Sequence, residues 1–192
     1  SLNSIQYYIN ENQNDLSEKY LVKFSNLVRK FFDLSTQKEI SIKAEVELLD
    51  NYLEIEKMRF EEKLNYTITI DDKLDKATLI PTMILQPIVE NAVNHGIFHK
   101  EEEGHVCISF NKTLNQKIEV IITDDGVGLE NSKLLKSTIT NKHLSKSTLI
   151  FKERIELLNS SDQWEISHSI EKLRVHPSYP GTKTVIILER KK

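Results

Sequence analysis

Leu85-Gln86-Pro87-Ile88-Val89-Glu90-Asn91-Ala92-Val93-Asn94-His95-Gly96 decides how this chain is read. Set on a helix, Ile84, Leu85, Ile88, Val89, Ala92 and Val93 fall on one apolar side, while Glu90, Asn91 and Asn94 share a separate polar arc. One side packs and the other is available for chemistry. A magnesium ion carrying nucleotide phosphates keeps several waters and needs only one or two protein oxygens, which the Asn91 carboxamide can supply. Glu90 beside it can order a coordinated water.

A second stretch, Asp124-Asp125-Gly126-Val127-Gly128, follows the β-branched run Ile118-Glu119-Val120-Ile121-Ile122-Thr123. The pattern predicts a buried strand ending at Asp124, with two glycines just beyond it. A strand-end carboxylate can accept from an exocyclic amino group, and Gly126 and Gly128 let the backbone turn and approach a ligand closely. Taken singly, the first stretch also reads as a solvated helix face and the second as a turn.

In order and spacing the two stretches resemble the N box and G1 box of the GHKL group of ATP-binding domains, found in histidine kinases, gyrase, Hsp90 and MutL. The flanks narrow the resemblance. Tyr52-Leu53-Glu54-Ile55-Glu56-Lys57-Met58-Arg59-Phe60, Ile80-Pro81 leading into Leu85-Gln86-Pro87, and Lys152-Glu153-Arg154-Ile155-Glu156-Leu157-Leu158-Asn159 are similar to the LytS-type bacterial sensor histidine kinases along nearly the whole chain. The resemblance implies an ATP and Mg²⁺ site with Asn91 as metal ligand, Asp124, Gly126, Gly128 and Asn94 at the nucleotide, and Glu90 as the group that polarises an accepting histidine. Pro180-Gly181-Thr182-Lys183-Thr184 resembles the G3 box, which brings Thr182 to the adenine pocket.

The resemblance also implies a fold and a biology. The fold expected is α+β: a GHKL (Bergerat) α/β sandwich over residues 61–192, preceded by a helical dimerisation remnant over 1–60. Ser1-Leu2-Asn3-Ser4-Ile5 matches the tail of the family's phosphoacceptor stretch, so the accepting histidine is expected upstream of Ser1. None of His95, His99, His105, His143, His168 or His176 matches that motif. The parent is expected to be an inner-membrane bacterial sensor kinase, homodimeric through a four-helix bundle, with this part cytoplasmic. Its partners would be ATP and a response regulator.

The polar stretch between Gly128 and Thr148 is too long for an ordinary connection. In the family it is the ATP lid, and Lys136, Lys142, His143 and Lys146 are the basic groups that could approach phosphate. At its exit the chain departs from its relatives, because Ser147 stands where a G2 glycine is expected. Serine can cap the next helix but does not take up positive φ cheaply. Two alternatives therefore stay open: a GHKL ATPase, and a pseudokinase scaffold that binds a response regulator without nucleotide.

The rest of the sequence is consistent with this frame. The 192 residues carry 26 basic and 29 acidic side chains, a balance with no general attraction for nucleic acid. No run approaches the roughly 18 apolar residues of a membrane span. The single Cys107 excludes an intrachain disulfide, and its strand-like surroundings predict a small buried residue. No proline precedes Pro81 and no glycine precedes Gly96, which favours long helices at the start. Two apolar stripes support them: Leu16, Tyr20, Phe24, Leu27, Phe31 and Leu34, then Ile42, Val46, Leu49 and Leu53. Strands are expected near 64–70, 105–112, 117–124, 163–170 and 182–189, and helices near 81–97 and 149–160. Pro81 suits a first helical turn, whereas Pro87 must kink the helix or mark its true start.

Overall fold

A computed structural model describes residues 14–60, 63–128, 146–173 and 178–191. The expected lid groups Lys136, Lys142 and His143 lie outside these residues, as do the side chains of Lys146 and Ser147.

Two long helices come first, α1 (Asn14–Ser35) and α2 (Ile42–Arg59), separated by the short strand β1 (Glu39–Ser41). Ser41 caps α2, its hydroxyl accepting from the Ala44 N–H at 3.1 Å. The remaining elements are β2 (Leu64–Ile70), β3 (Leu79–Pro81), α3 (Gln86–Asn91) running into a π-helical turn (Ala92–Ile97), β4 (Gly104–Lys112), β5 (Ile118–Asp124), α4 (Lys146–Ser160), β6 (Trp164–Lys172) and β7 (Thr182–Arg190). The main sheet has the order β2-β4-β5-β7-β6, with β2 and β4 parallel and the other pairs antiparallel.

Along β5, alternate residues are buried and half-buried, so Val120 and Ile122 enter a core roofed by α2, α3 and α4. This is the expected α/β sandwich, a five-stranded sheet with helices packed on it. The five expected strands match β2, β4, β5, β6 and β7 to within two residues.

α2 belongs to that core. Ile42, Leu49 and Leu53 are fully buried in the same cluster as Leu64, Ile84, Val89 and Ile108. Burying a side chain of this size is worth roughly 1.5–3 kcal/mol, so these three weigh as much as the net stability of about 5–15 kcal/mol of a whole domain. The packing therefore crosses residue 60. α1 leans on α2 through Tyr20 and Ile55, with Phe24, Leu27 and Met58 around them and ion pairs Lys23–Glu54 and Lys30–Glu47 outside. Its stripe is buried only in the middle, since Leu16 and Phe31 are exposed.

Three expectations are corrected. The helix expected over 81–97 starts only at Gln86: Pro81 ends β3, which pairs with β1 in a two-stranded sheet, and residues 82–85 form a turn with Met83 at φ 54°. Pro87 falls in the first turn of α3, where its missing N–H has no helical acceptor to lose. The end of that helix is π rather than α, with the Phe98 N–H reaching the Val93 carbonyl at 2.9 Å. Finally, Cys107 is exposed. The pleat sends Val106, Ile108 and Phe110 inward and turns the residue between them outward.

Candidate active site

Asp124 sits at the last position of β5 with 5% of its surface exposed, directly opposite Thr182 at the start of β7. Its Oδ1 accepts the Gly126 N–H at 3.0 Å, and both the hydroxyl and the N–H of Thr182 donate to its carboxylate. A carboxylate has about four acceptor positions, so one is left for an incoming donor. Burial raises its pKa to about 7, assisted by the neighbouring charge of Asp125 and opposed by the Gly126 and Thr182 hydrogen bonds. Asp125 itself faces the other way, accepting from the His105 N–H at 2.7 Å and the Lys100 ammonium at 2.9 Å.

Backbone can approach Asp124 this closely because side chains are missing there. A Cβ on Gly96 would stand 2.6 Å from Asp124 Oδ1, and one on Gly126 would stand 2.2 Å from the Gly96 carbonyl carbon. Gly181, at φ +66°, passes over the Asp124 carbonyl, and Gly128, at φ +75°, packs on Pro180. Backbone bonds lace the three segments together, from Val127 N–H to Gly96 C=O at 3.2 Å and from Gly181 N–H to Gly126 C=O at 3.0 Å. The end of the π-turn, the β5 exit and the β7 entrance thus meet at one carboxylate.

The polar arc of α3 and the π-turn lies beside this cradle. Ile88, Val89, Ala92 and Val93 are buried and Glu90, Asn91, Asn94 and His95 are half-buried, as the helical pattern predicts. Gln86 Nε2 donates to Glu90 Oε1 at 3.2 Å and orients that carboxylate. Asn94 is engaged by α2: its Oδ1 accepts from Arg59 at 3.3 Å, and its amide donates to the Tyr52 hydroxyl. Arg59 in turn stands 2.8 Å from Glu56, whose carboxyl burial pushes upward and whose neighbours include Glu90. Asn94 therefore joins α2 to the π-turn, while Glu90 and Asn91 occupy the rest of the arc. Asn91 suits Mg²⁺ bound through nucleotide phosphates, which asks little of the protein beyond one or two oxygens.

Residues with no assigned role in the sequence reading prove to frame this arc. Tyr52, Glu56 and Arg59 share one face of α2, and their signal was the Tyr52–Phe60 motif. Glu45 had no such signal. Wholly buried, it accepts from the Met83 and Leu85 N–H groups at 3.0 and 3.2 Å, and burial raises its carboxyl to about 7 against the pull of those bonds and of Arg154. Arg154 on α4 donates to the Thr82 carbonyl.

Residues 1–64 match the histidine kinase family model. Sensor histidine kinase YpdA of Escherichia coli is 28% identical over 183 residues, 95% of this chain and 30% of the relative. Sensor protein LytS of Streptococcus mutans is 30% identical over 147 residues, 73% of this chain and 24% of the relative. The chain thus spans less than a third of either. Among solved structures, the kinase domain of a blue-light activated histidine kinase from Erythrobacter litoralis covers 94% of this chain and 82% of its own at a TM-score of 0.54 and 12% identity. The mycobacterial sensor histidine kinase MprB covers 80% of this chain and 97% of its own at 0.53 and 16%. At such identities these two speak for the fold alone, while the sequence relatives speak for descent. By sequence this chain is similar to the LytS-type sensor histidine kinases.

Proposed function

We propose that the chain is the kinase portion of a two-component sensor, binding Mg-ATP and moving its γ-phosphoryl group to a histidine, from which it passes to an aspartate of a response regulator. The observation that carries this reading is the nearly buried Asp124 carboxylate in a cradle of four glycines. An exocyclic amino group of adenine is the donor that such an acceptor suits. Asn91 would hold Mg²⁺, which supplies charge neutralisation to the phosphates. Phosphoryl transfer proceeds through a loose transition state, so the protein's share is mainly positioning and electrostatics. The histidine nitrogen forms its bond to phosphorus as the bond to the ADP oxygen breaks, and Glu90, held by Gln86, takes the imidazole proton or polarises it.

The helical part, 1–60, would supply dimerisation and the catalytic part, 61–192, the nucleotide site; Lys146 and Ser147 would meet the phosphates at the lid exit. No helix among the described residues is long and apolar enough to cross a membrane, which suits a cytoplasmic location for this part of an inner-membrane sensor. Calorimetric titration of an ATP analogue with and without Mg²⁺, with Asp124→Asn as control, tests the reading. Micromolar, Mg²⁺-dependent binding that the substitution weakens severalfold supports it. Absence of binding in the unaltered chain refutes it and favours the scaffold that Ser147 keeps open.

A further inference from the structure

The turn that introduces α3 is held from outside. Leu85 is the N-cap of α3 and offers no side-chain cap. Glu45 on α2 takes that part from 40 residues away, one carboxylate oxygen on the Met83 N–H and the other on the Leu85 N–H. Met83 stands at φ 54°, a region that side chains with a Cβ rarely adopt, so the turn needs partners to persist. Thr82 provides more of them: its N–H and hydroxyl reach the carbonyls of Lys38 and Gln37 at 3.2 and 2.7 Å, and its own carbonyl accepts from Arg154. A buried carboxylate is an expensive way to fill space, since apolar residues of similar volume in place of a buried ion pair are often as stable or more so. What the carboxylate adds is a defined place for two backbone amides.

We infer that Glu45 is a positioning residue for the Mg²⁺ side of the nucleotide site: its two bonds set where α3 starts and hence where Asn91 presents its carboxamide. This rests on the proposed nucleotide reading and deepens it. The two halves of that site are held differently: Asp124 and Thr182 sit on β5 and β7, whose pairing makes no use of Glu45, and of the helix that Glu45 introduces only the far end, Gly96, meets Asp124. A loss confined to the Mg²⁺-dependent part of binding therefore distinguishes positioning from general damage.

The test titrates a non-hydrolysable ATP analogue into the unaltered chain, Glu45→Ala and Glu45→Gln, with and without Mg²⁺, alongside urea unfolding and amide hydrogen exchange at Met83, Leu85 and Val120. Groups bonded directly to a metal ligand contribute about 10–100-fold to metal affinity; Glu45 acts one step further back, on the turn that introduces α3, so Glu45→Ala should lose up to about tenfold of the Mg²⁺-dependent gain. Mg²⁺-free binding should stay within about twofold, since its contacts lie elsewhere. Glu45→Gln keeps one acceptor and should recover part of the loss. Exchange should quicken at Met83 and Leu85 and not at Val120. Full retention of the Mg²⁺ gain in Glu45→Ala overturns the inference, and so does a parallel fall of Mg²⁺-free binding and urea midpoint, which makes Glu45 purely structural. An unaltered chain that binds no nucleotide defeats the parent reading itself, a result visible without either variant.

Discussion

Nucleotide affinity should rise with pH through neutrality, and Asp124 should be the cause. Burial lifts its pKa from 3.8 to about 7, so near pH 7 the empty site is about half protonated. An amino donor needs the ionised form. Between pH 6 and pH 8 the ionised share climbs from about a tenth to about nine tenths, which makes binding about tenfold tighter, or about 1.4 kcal/mol. The assay is calorimetric titration at three pH values in buffers of different ionisation heat, which also counts protons: close to one should leave per nucleotide at pH 6. Ligand phosphates titrate in the same window, but they do so equally in Asp124→Asn. The difference between the two proteins thus belongs to the carboxyl. Without nucleotide the same shift acts on folding. A folded-state pKa above the unfolded one means stability that is fully present below the unfolded value and lost as pH rises through about 7. If affinity is flat across pH 6–8, or the pH dependence survives in Asp124→Asn, the carboxylate is not the nucleotide's partner and the reasoning fails.

Four further outcomes follow from single contacts. Asn91→Ala should remove the Mg²⁺-dependent part of nucleotide binding and leave Mg²⁺-free binding unchanged, read by the same titrations. Gly96→Ala drives a Cβ to 2.6 Å from Asp124 Oδ1, and overpacking of this kind costs about 1–3 kcal/mol; urea unfolding should show that loss together with weakened nucleotide binding. Trp164→Phe deletes the indole N–H that donates to Glu39 at 2.8 Å; leaving that partner short costs about 1–3 kcal/mol in the urea midpoint. Exposed Cys107 should react with a thiol reagent in the folded protein, and Cys107→Ser should change stability by less than about 0.5 kcal/mol.

Where one element determines its own structure, the sequence is a good guide to this fold. Ile118–Asp124 alternates, forms a strand, and ends where the glycines begin; the polar arc of Glu90, Asn91 and Asn94 stays off the core because its spacing is helical. The failures share a different origin. β1 and β3 are three residues each, too short for a period to show, and they exist because Glu39 is gripped by Trp164 and Arg190 from the far edge of the sheet. Pro81 therefore has a local helix-starting habit that pairing with a distant strand overrides. Cys107 has apolar neighbours in sequence, and the pleat puts it on the opposite face from them.

The site follows the same rule. Asp124 and Asn91 are visible because each sits on an element whose pattern announces it. Glu45 is not, because its importance lies in two amides 38 and 40 residues further on that belong to a turn no propensity foretells. The same helix, α2, also reaches Asn94 through Tyr52 and Arg59. α2 therefore touches the lead into α3 with one end and the π-turn with the other, while its apolar side is sealed into the core of the sheet. A helix that the family resemblance assigns to the dimerisation part is, by packing, a wall of the sheet domain that carries the candidate site. A displacement of α2 along its axis would have to break Glu45 from the turn or carry α3 with it.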